Sequence, residues 1–241
     1  MSAASDAAIA IHNSLLAAAL DLGAGEFIRS LRPVQVREPE EIYAPGSPIE
    51  RVWFPQTCVF SVVATFGEGE IAEMATIGRE GMAGLSVILG ARRAEHLCMV
   101  QMRGEALTAD ADAVRKAVAA NPKLRDLLLA YIDAHLGQVM QTVACNSTHD
   151  AASRCARWLL MSHDRGDGQT FPLTQEFLAQ MIGVHRPTVS LIAQDFQARG
   201  LIRYSRGSIT VTDRPGLEQA SCSCYAAIRA QFAARMPYAF S

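Results

Sequence analysis

"GVHRPTVSLIAQ", residues 183–194, begins with a glycine, sets an arginine against a proline, follows with two hydroxyl side chains and only then turns apolar. That order predicts a helix whose first turn meets something polar and anionic and whose later turns meet a core. Just upstream, Thr174 suits the N-cap of a helix "QEFLAQM", and Gly183 suits a sharp turn before the second helix, which runs to Gly200. Ala179 is small where the two helices would cross, and Ile182, Val189 and Ile192 supply a wedge between them. The separations are those of a helix-turn-helix. "LIRYSRGSITV", residues 201–211, then offers two β-like runs about Arg206 and Gly207, a hairpin of the kind called a wing. A plain αα corner is the alternative for the helix pair alone; the arginine-tipped hairpin after it points to duplex DNA.

Position assigns the candidate contacts. Pro187 biases Arg186 out of the α region, so the second helix is expected to start at Pro187, with His185 and Arg186 projecting from its N-terminal end. That end enters a major groove first. Arg186 can donate twice to guanine O6 and N7, Thr188 and Ser190 can reach phosphate or base edges, and Leu191 and Ile192 turn toward a thymine methyl or the core. Free N–H groups at the helix starts, with Thr174 and Gln175, suit phosphates, as does Arg206 on the wing.

The 241 residues are half hydrophobic, enough for one large domain or two modest ones with a real core. No apolar run reaches the ~18 residues of a membrane span, and the N-terminal stretch "MSAASDAAIAIHN" lacks the pattern of a secretion signal, so a soluble, cytoplasmic protein is expected. The net charge of −2 hides an asymmetry: residues 1–146 hold 12 basic against 17 acidic side chains, residues 147–241 hold 10 against 7. All ten basic residues of the second part are arginine, whose planar fork suits phosphate and guanine. Six cysteines show no paired CxxC spacing, and no metal ligands are assigned from spacing; buried reduced thiols are expected, with Cys222 and Cys224 in "CSC" kept as a weak redox or metal signal.

Residues 1 to about 32 read as short helices, including "SLLAAAL" and "EFIRSL". From Pro33 to about Met102 come strand-like pieces, "CVFSVVATF", "IAEMATI" and "LCMVQM", with a hairpin break at Gly67-Glu68-Gly69. Strands at this spacing suggest an antiparallel roll or barrel. Asn121 and Pro122 start a long helix on which Leu128, Ile132, Leu136, Val139 and Val143 form one apolar stripe. The stripe packs either on its own roll or on the same helix of a second subunit. Asn146 and Ser147 are expected to break this helix and cap the next one, which ends at the loop "DRGDGQ".

In this order the chain resembles the CRP/FNR family of bacterial transcription regulators. The fold so implied is α+β: a sensory β-roll with N-terminal helices over residues 1–118, a dimerisation helix over 119–145 and a winged helix-turn-helix with a C-terminal tail over 146–241. The resemblance implies a homodimer on a two-fold DNA site that contacts RNA polymerase. "RPTVSL" keeps Arg186, Thr188, Val189 and Ser190 of the family's recognition helix but has Pro187 and Leu191 where glutamate and a second arginine often stand. Cyclic-nucleotide-binding members carry Gly-Glu before a short helix and Arg-Ser-Ala after it. Here Gly81 matches the glycine, Met82 replaces the acid that holds the ribose, and Arg92, Arg93 and Ala94 cover the phosphate half. The expectation is a different effector or none; its identity and any cofactor are unknown. The iron-sulfur sensors' N-terminal cysteine cluster is absent, haem ligation by scattered histidines stays open, and His135 reads as an interface residue.

Two other readings stand beside this one. The same fold would serve a thiol or metal sensor through Cys222 and Cys224, with Cys155 as a further candidate. A small cupin-like metal enzyme is the other, disfavoured because the roll lacks a compact set of His and carboxylates at ligand spacing and no nucleophile stands in a motif, so no catalytic residue is named.

Overall fold

The computed structural model describes residues 10–240 other than Glu68, Gly69, Asp167 and Pro237. Two short helices come first, α1 (Ser14–Asp21) and α2 (Gly25–Arg29). Asn13 caps α1 by accepting the Leu16 N–H at 2.9 Å, and its amide donates to Pro55 O and Gly81 O, both at 2.8 Å, which ties the N-terminal helix to the sheets.

Seven strands make the roll: β1 (Arg32–Val36), β2 (Glu41–Tyr43), β3 (Arg51–Pro55), β4 (Val59–Phe66), β5 (Glu70–Ile77), β6 (Leu97–Met102) and β7 (Gly104–Asp110). They form two antiparallel sheets, ordered β1-β7-β3 and β2-β6-β4-β5. β4 and β5 pair with Phe60 opposite Ile77 and Phe66 opposite Glu70. Glu68 and Gly69 of the expected hairpin break lie outside the described residues. Val59, Phe60 and Ser61 are all buried, so this strand is covered on both faces.

α3 (Ala111–Ala120) leads to α4 (Pro122–Thr148), where Asn121 accepts the Leu124 N–H and Pro122 fills the first turn, as the sequence predicts. The other end differs. Asn146 and Ser147 stay helical, because Ser147 and Thr148 return their hydroxyls to the carbonyls of Val143 and Ala144 at 3.0 and 2.8 Å. The break falls at His149, and Asp150 caps α5 (Ala151–Arg165) through the Ser153 N–H at 3.0 Å.

The apolar stripe on α4 divides between two faces. Leu128, 3% exposed, faces its own domain with Leu124, Tyr131, Ala134, His135, Gln138, Thr142 and Cys145. Leu128 is therefore unavailable to a second subunit, and His135, 7% exposed, sits on the same inward face. Leu136 and Val143 of the expected stripe are exposed together with Leu129 and Met140, while Ile132 and Val139 are half-buried. Apolar periodicity misses the inner face because that face is largely polar or aromatic: the Tyr131 hydroxyl donates to Met82 O at 3.1 Å, and Gln138 Nε2 donates to Thr76 O at 3.0 Å.

The C-terminal part adds β8 (Thr170–Pro172), α6 (Gln175–Ile182), α7 (Arg186–Ala198), β9 (Ile202–Ser205), β10 (Ser208–Val211), α8 (Arg214–Ala220) and α9 (Cys224–Arg235). The three strands form a sheet ordered β8-β10-β9, and α9 returns to pack on α4. A buried polar seam joins α5 to the roll. Trp158 Nε1 donates to Glu73 Oε2 at 2.6 Å, Gln101 Nε2 to Ser162 Oγ at 2.8 Å, and Arg165 Nε to Glu80 Oε1 at 2.7 Å. Gly78 makes the last contact possible, since a Cβ there would stand 2.6 Å from the Arg165 side chain. Among the described residues, no helix is long and apolar enough to cross a membrane.

Candidate nucleic-acid interface

Thr174 starts α6 by accepting the Phe177 N–H at 3.1 Å. Gly183 ends it with φ +64°, a left-handed conformation that glycine adopts without penalty, and the chain reverses into α7. Ala179, Ile182, Val189 and Ile192 are all buried between the helices, the wedge that the spacing predicts. Trp158 of α5 meets Phe177 edge-on at 6.4 Å, which seats α6 on the helix beneath it.

The first turn of α7 faces outward. His185 is the N-cap residue with extended backbone, and helical geometry begins at Arg186, one position earlier than expected. His185, Arg186, Pro187 and Leu191 are exposed, Leu191 at 67%, and Thr188 is half-buried; Ile192 goes to the core. Ser190 is already engaged: its hydroxyl donates to Gln175 Oε1 at 2.6 Å and to Arg186 O at 3.2 Å. That pair fixes the start of α6 against α7, so Gln175 and Ser190 brace the surface rather than stand free on it.

The wing is a two-residue hairpin. Arg206 and Gly207 have φ of +49° and +76°, both central positions in the left-handed region, and Arg206 is exposed at the tip. Arg203 also reaches solvent, on the outward side of β9 between buried Ile202 and half-buried Tyr204. The alternation in "IRYS" carries that signal, although the sequence reading does not single Arg203 out. Neither Arg186, Arg203 nor Arg206 has a side-chain hydrogen bond or ion pair among the described residues. The surface presents three cations and the N-terminal N–H groups of two helices, an arrangement suited to a polyanion.

The expected effector residues do not come together. The roll and α4 together line a partly open cavity of about 310 Å³, with Tyr43, Val62, Met74, Leu85, His96 and His135 among its walls. Met82 is fully buried in the core beside it, and Gly81 packs so closely on Tyr131 that a Cβ would collide with the hydroxyl. Neither lines the cavity. Arg92 and Arg93 are exposed and line an outer cleft with Asp110, Asp112 and Arg115, Arg93 donating to Gly46 O at 2.5 Å. The cavity lining holds no lysine or arginine. Burial first, then the Arg165 charge, lowers His135 from 6.5 to about 4, so its ring is neutral at pH 7.

The cysteines do come together, in a set that spacing could not show. Cys222 and Cys224 meet Cys145 and His149 from the end of α4, with the four donor atoms all within 4.8 Å of one another. Cys145 and Cys222 are separated by 77 residues in the chain. Cys155, the other thiol weighed with them, is buried elsewhere in α5.

Residues 153–220 match the family of Crp-like helix-turn-helix domains, which spans α5 to α8. Over 194 residues the chain is 27% identical to a CRP-like cAMP-activated global transcriptional regulator of Mycobacterium tuberculosis, covering 77% of this chain and 86% of the relative. It is 25% identical over 223 residues to the global nitrogen regulator of Synechococcus elongatus, covering 88% and 98%. Among solved structures, FixK2 from Bradyrhizobium japonicum matches with a TM-score of 0.69 at 17% identity, over 80% of this chain and 98% of that one. The c-di-GMP responsive global regulator CLP of Xanthomonas campestris matches with a TM-score of 0.61 at 12% identity, over 78% and 98%. The structural matches share the fold, residues 153–220 are those of a Crp-like helix-turn-helix domain, and along most of its length the chain is similar to DNA-binding transcription regulators of the CRP/FNR type.

Proposed function

We propose that the protein acts as a homodimer that reads an inverted-repeat duplex site with α7, contacts RNA polymerase from the bound state, and takes a signal other than cyclic AMP. The observation that carries this reading is the first turn of α7: Arg186 stands exposed at the N-terminal end of a helix whose inner face is held in the core by Val189 and Ile192. Such an end fits a major groove, with Arg186 on guanine and Arg206 on phosphate. The cytoplasm is the location that goes with this role.

The two-fold arrangement rests on α4. Leu129, Leu136, Met140 and Val143 are 41–62% exposed, and with half-buried Ile132 they recur at intervals of three and four residues along one side. A continuous apolar strip of this kind is costly to leave in water, and the same strip on a second copy covers it. Two recognition helices related by that axis would lie about 34 Å apart in successive major grooves. Selection of bound duplexes from a random pool by the full chain tests the reading: an inverted repeat with a guanine in each half is expected, and a directly repeated or asymmetric site would overturn it.

The rejection of cyclic AMP rests on the cavity. A cyclic phosphate entering it would find no lysine or arginine to meet its charge, and the one carboxylate of the lining, Glu95, would oppose it. An unmet polar group in such a place costs on the order of 1–3 kcal/mol. Calorimetry with cyclic AMP is expected to register no binding; micromolar affinity coupled to DNA binding would remove this part.

A further inference from the structure

We propose that Cys145, His149, Cys222 and Cys224 form a site for one zinc-class divalent ion at the joint between the sensory and DNA-binding parts. The four donor atoms lie within 4.8 Å of each other, and the distances inside the set are short: 3.4 Å from Cys145 Sγ to Cys222 Sγ and 3.6 Å from Cys224 Sγ to His149 Nδ1. A tetrahedral zinc with bonds of ~2.3 Å to sulfur and ~2.0 Å to nitrogen holds its ligand atoms roughly 3.5–3.8 Å apart. The set needs adjustments of well under a side-chain length to close on an ion. Three thiolates and one imidazole are donors that a borderline-soft ion takes in preference to magnesium or calcium.

The chain is built to hold these donors. Cys145 and His149 are one helical turn apart at the end of α4, hence on one face. Cys222 and Cys224 stand where α8 has ended and α9 begins, and α9 is fastened to α4 by packing and by the Arg235–Asp133 ion pair. The Gln141 amide donates to Cys224 Sγ at 3.0 Å, a bond that favours the thiolate. Thr148 Oγ1, 3.3 Å from His149 Nδ1, has Ala144 O at 2.8 Å as its acceptor and leaves the nitrogen lone pair for an ion. The three cysteines are buried and His149 is half-exposed, which gives an ion an entrance from solvent. Three thiolates on a divalent ion leave one negative charge. Arg157, 4% exposed with its Nε unpartnered, acts electrostatically on Cys145 and offsets that charge.

The test uses no DNA, so its outcome is separate from that of the proposed function. The full chain is purified under reducing conditions, stripped with a chelator and titrated with Co²⁺, then with Zn²⁺. A single equivalent of Co²⁺ is expected to produce thiolate charge-transfer bands and the intense visible bands of a tetrahedral site, and Zn²⁺ to displace it. Cys222→Ser and His149→Ala should each weaken Zn²⁺ binding roughly 100-fold or more. Cys155→Ser should leave it unchanged, and His149→Cys, which keeps four donors, should retain the tetrahedral spectrum even if a truncating variant fails to fold. No tetrahedral spectrum with fully reduced thiols would overturn the site. So would equal loss in Cys155→Ser, or a Cys145–Cys222 disulfide that forms in the reduced, metal-free protein on exposure to air while Co²⁺ fails to bind before that exposure.

Discussion

The arginines of the seam and the arginines of the recognition tip are the same side chain put to opposite uses. Arg165, 2% exposed, spends its donors inside: Nε on Glu80, Nη2 on Gln138 Oε1 at 3.0 Å and Nη1 on Met161 O at 3.1 Å. Arg214 and Arg229 are similarly committed to Asp164, at 2.6 and 3.1 Å, and Arg199 to Asp195. At the tip, Arg186 and Arg206 are exposed and make no such bond among the described residues. A count of basic residues treats them alike. Only what each guanidinium has left over separates a structural cation from one that can meet a phosphate or a base, and most of the C-terminal arginine surplus is already consumed by the fold.

Removing a seam arginine should therefore cost stability and removing a tip arginine should cost DNA binding. The largest effect is expected for Arg165→Ala, which leaves Glu80 buried without its partner and should lower unfolding free energy by about 3–5 kcal/mol in denaturant titration. A loss below ~1 kcal/mol would break the contrast. Next comes His135, whose lowered value of about 4 reflects burial and then the Arg165 charge. The unfolded chain binds a proton there below pH 6.5 and the folded chain does not, so this contribution is complete above 6.5 and is lost as pH falls toward 4. His135→Phe should flatten that decline, worth up to about 3 kcal/mol, when acid unfolding of the two proteins is compared.

Arg186→Ala should leave stability alone, cost about 1–3 kcal/mol per half-site and relax base preference at one position of the selected site. Uniform weakening with an unchanged sequence preference would make Arg186 a phosphate anchor instead. Arg206→Ala should have the smallest effect, weakening all duplexes alike and reducing the salt dependence by about one counterion per wing.

Local chemistry is readable in the sequence and distant company is not. Thr174, Gly183 and the Ile182–Val189–Ile192 wedge all lie within nineteen consecutive residues, so their spacing carries the helix-turn-helix. The face of α4 reads less well because apolar periodicity ignores Tyr131, Gln138 and Thr142, which are buried by hydrogen bonding to the roll or to their own helix. Met82 is aligned by its neighbours in sequence, yet its environment is decided by Tyr131, 49 residues away. The cysteine set is invisible for the same reason: His149 gives no signal of its own, and Cys222 and Cys224 reach it and Cys145 from the far side of the DNA-binding part, at the start of α9 and just before it.

The joint between α4 and α5 consists of His149 and Asp150, both extended, with ψ of 149° and 163°. Everything beyond it is phased by the length of α4, since each residue added to a helix turns the downstream chain by about 100° and advances it by about 1.5 Å. One inserted alanine in the last turn would swing the recognition helix more than a quarter of the way around the α4 axis. The same count sets His149 against Cys224 and Arg165 against Glu80. Three meshings share one gear, and an insertion that restores one leaves the others out of step, so the length of this helix is as tightly constrained as any side chain it carries.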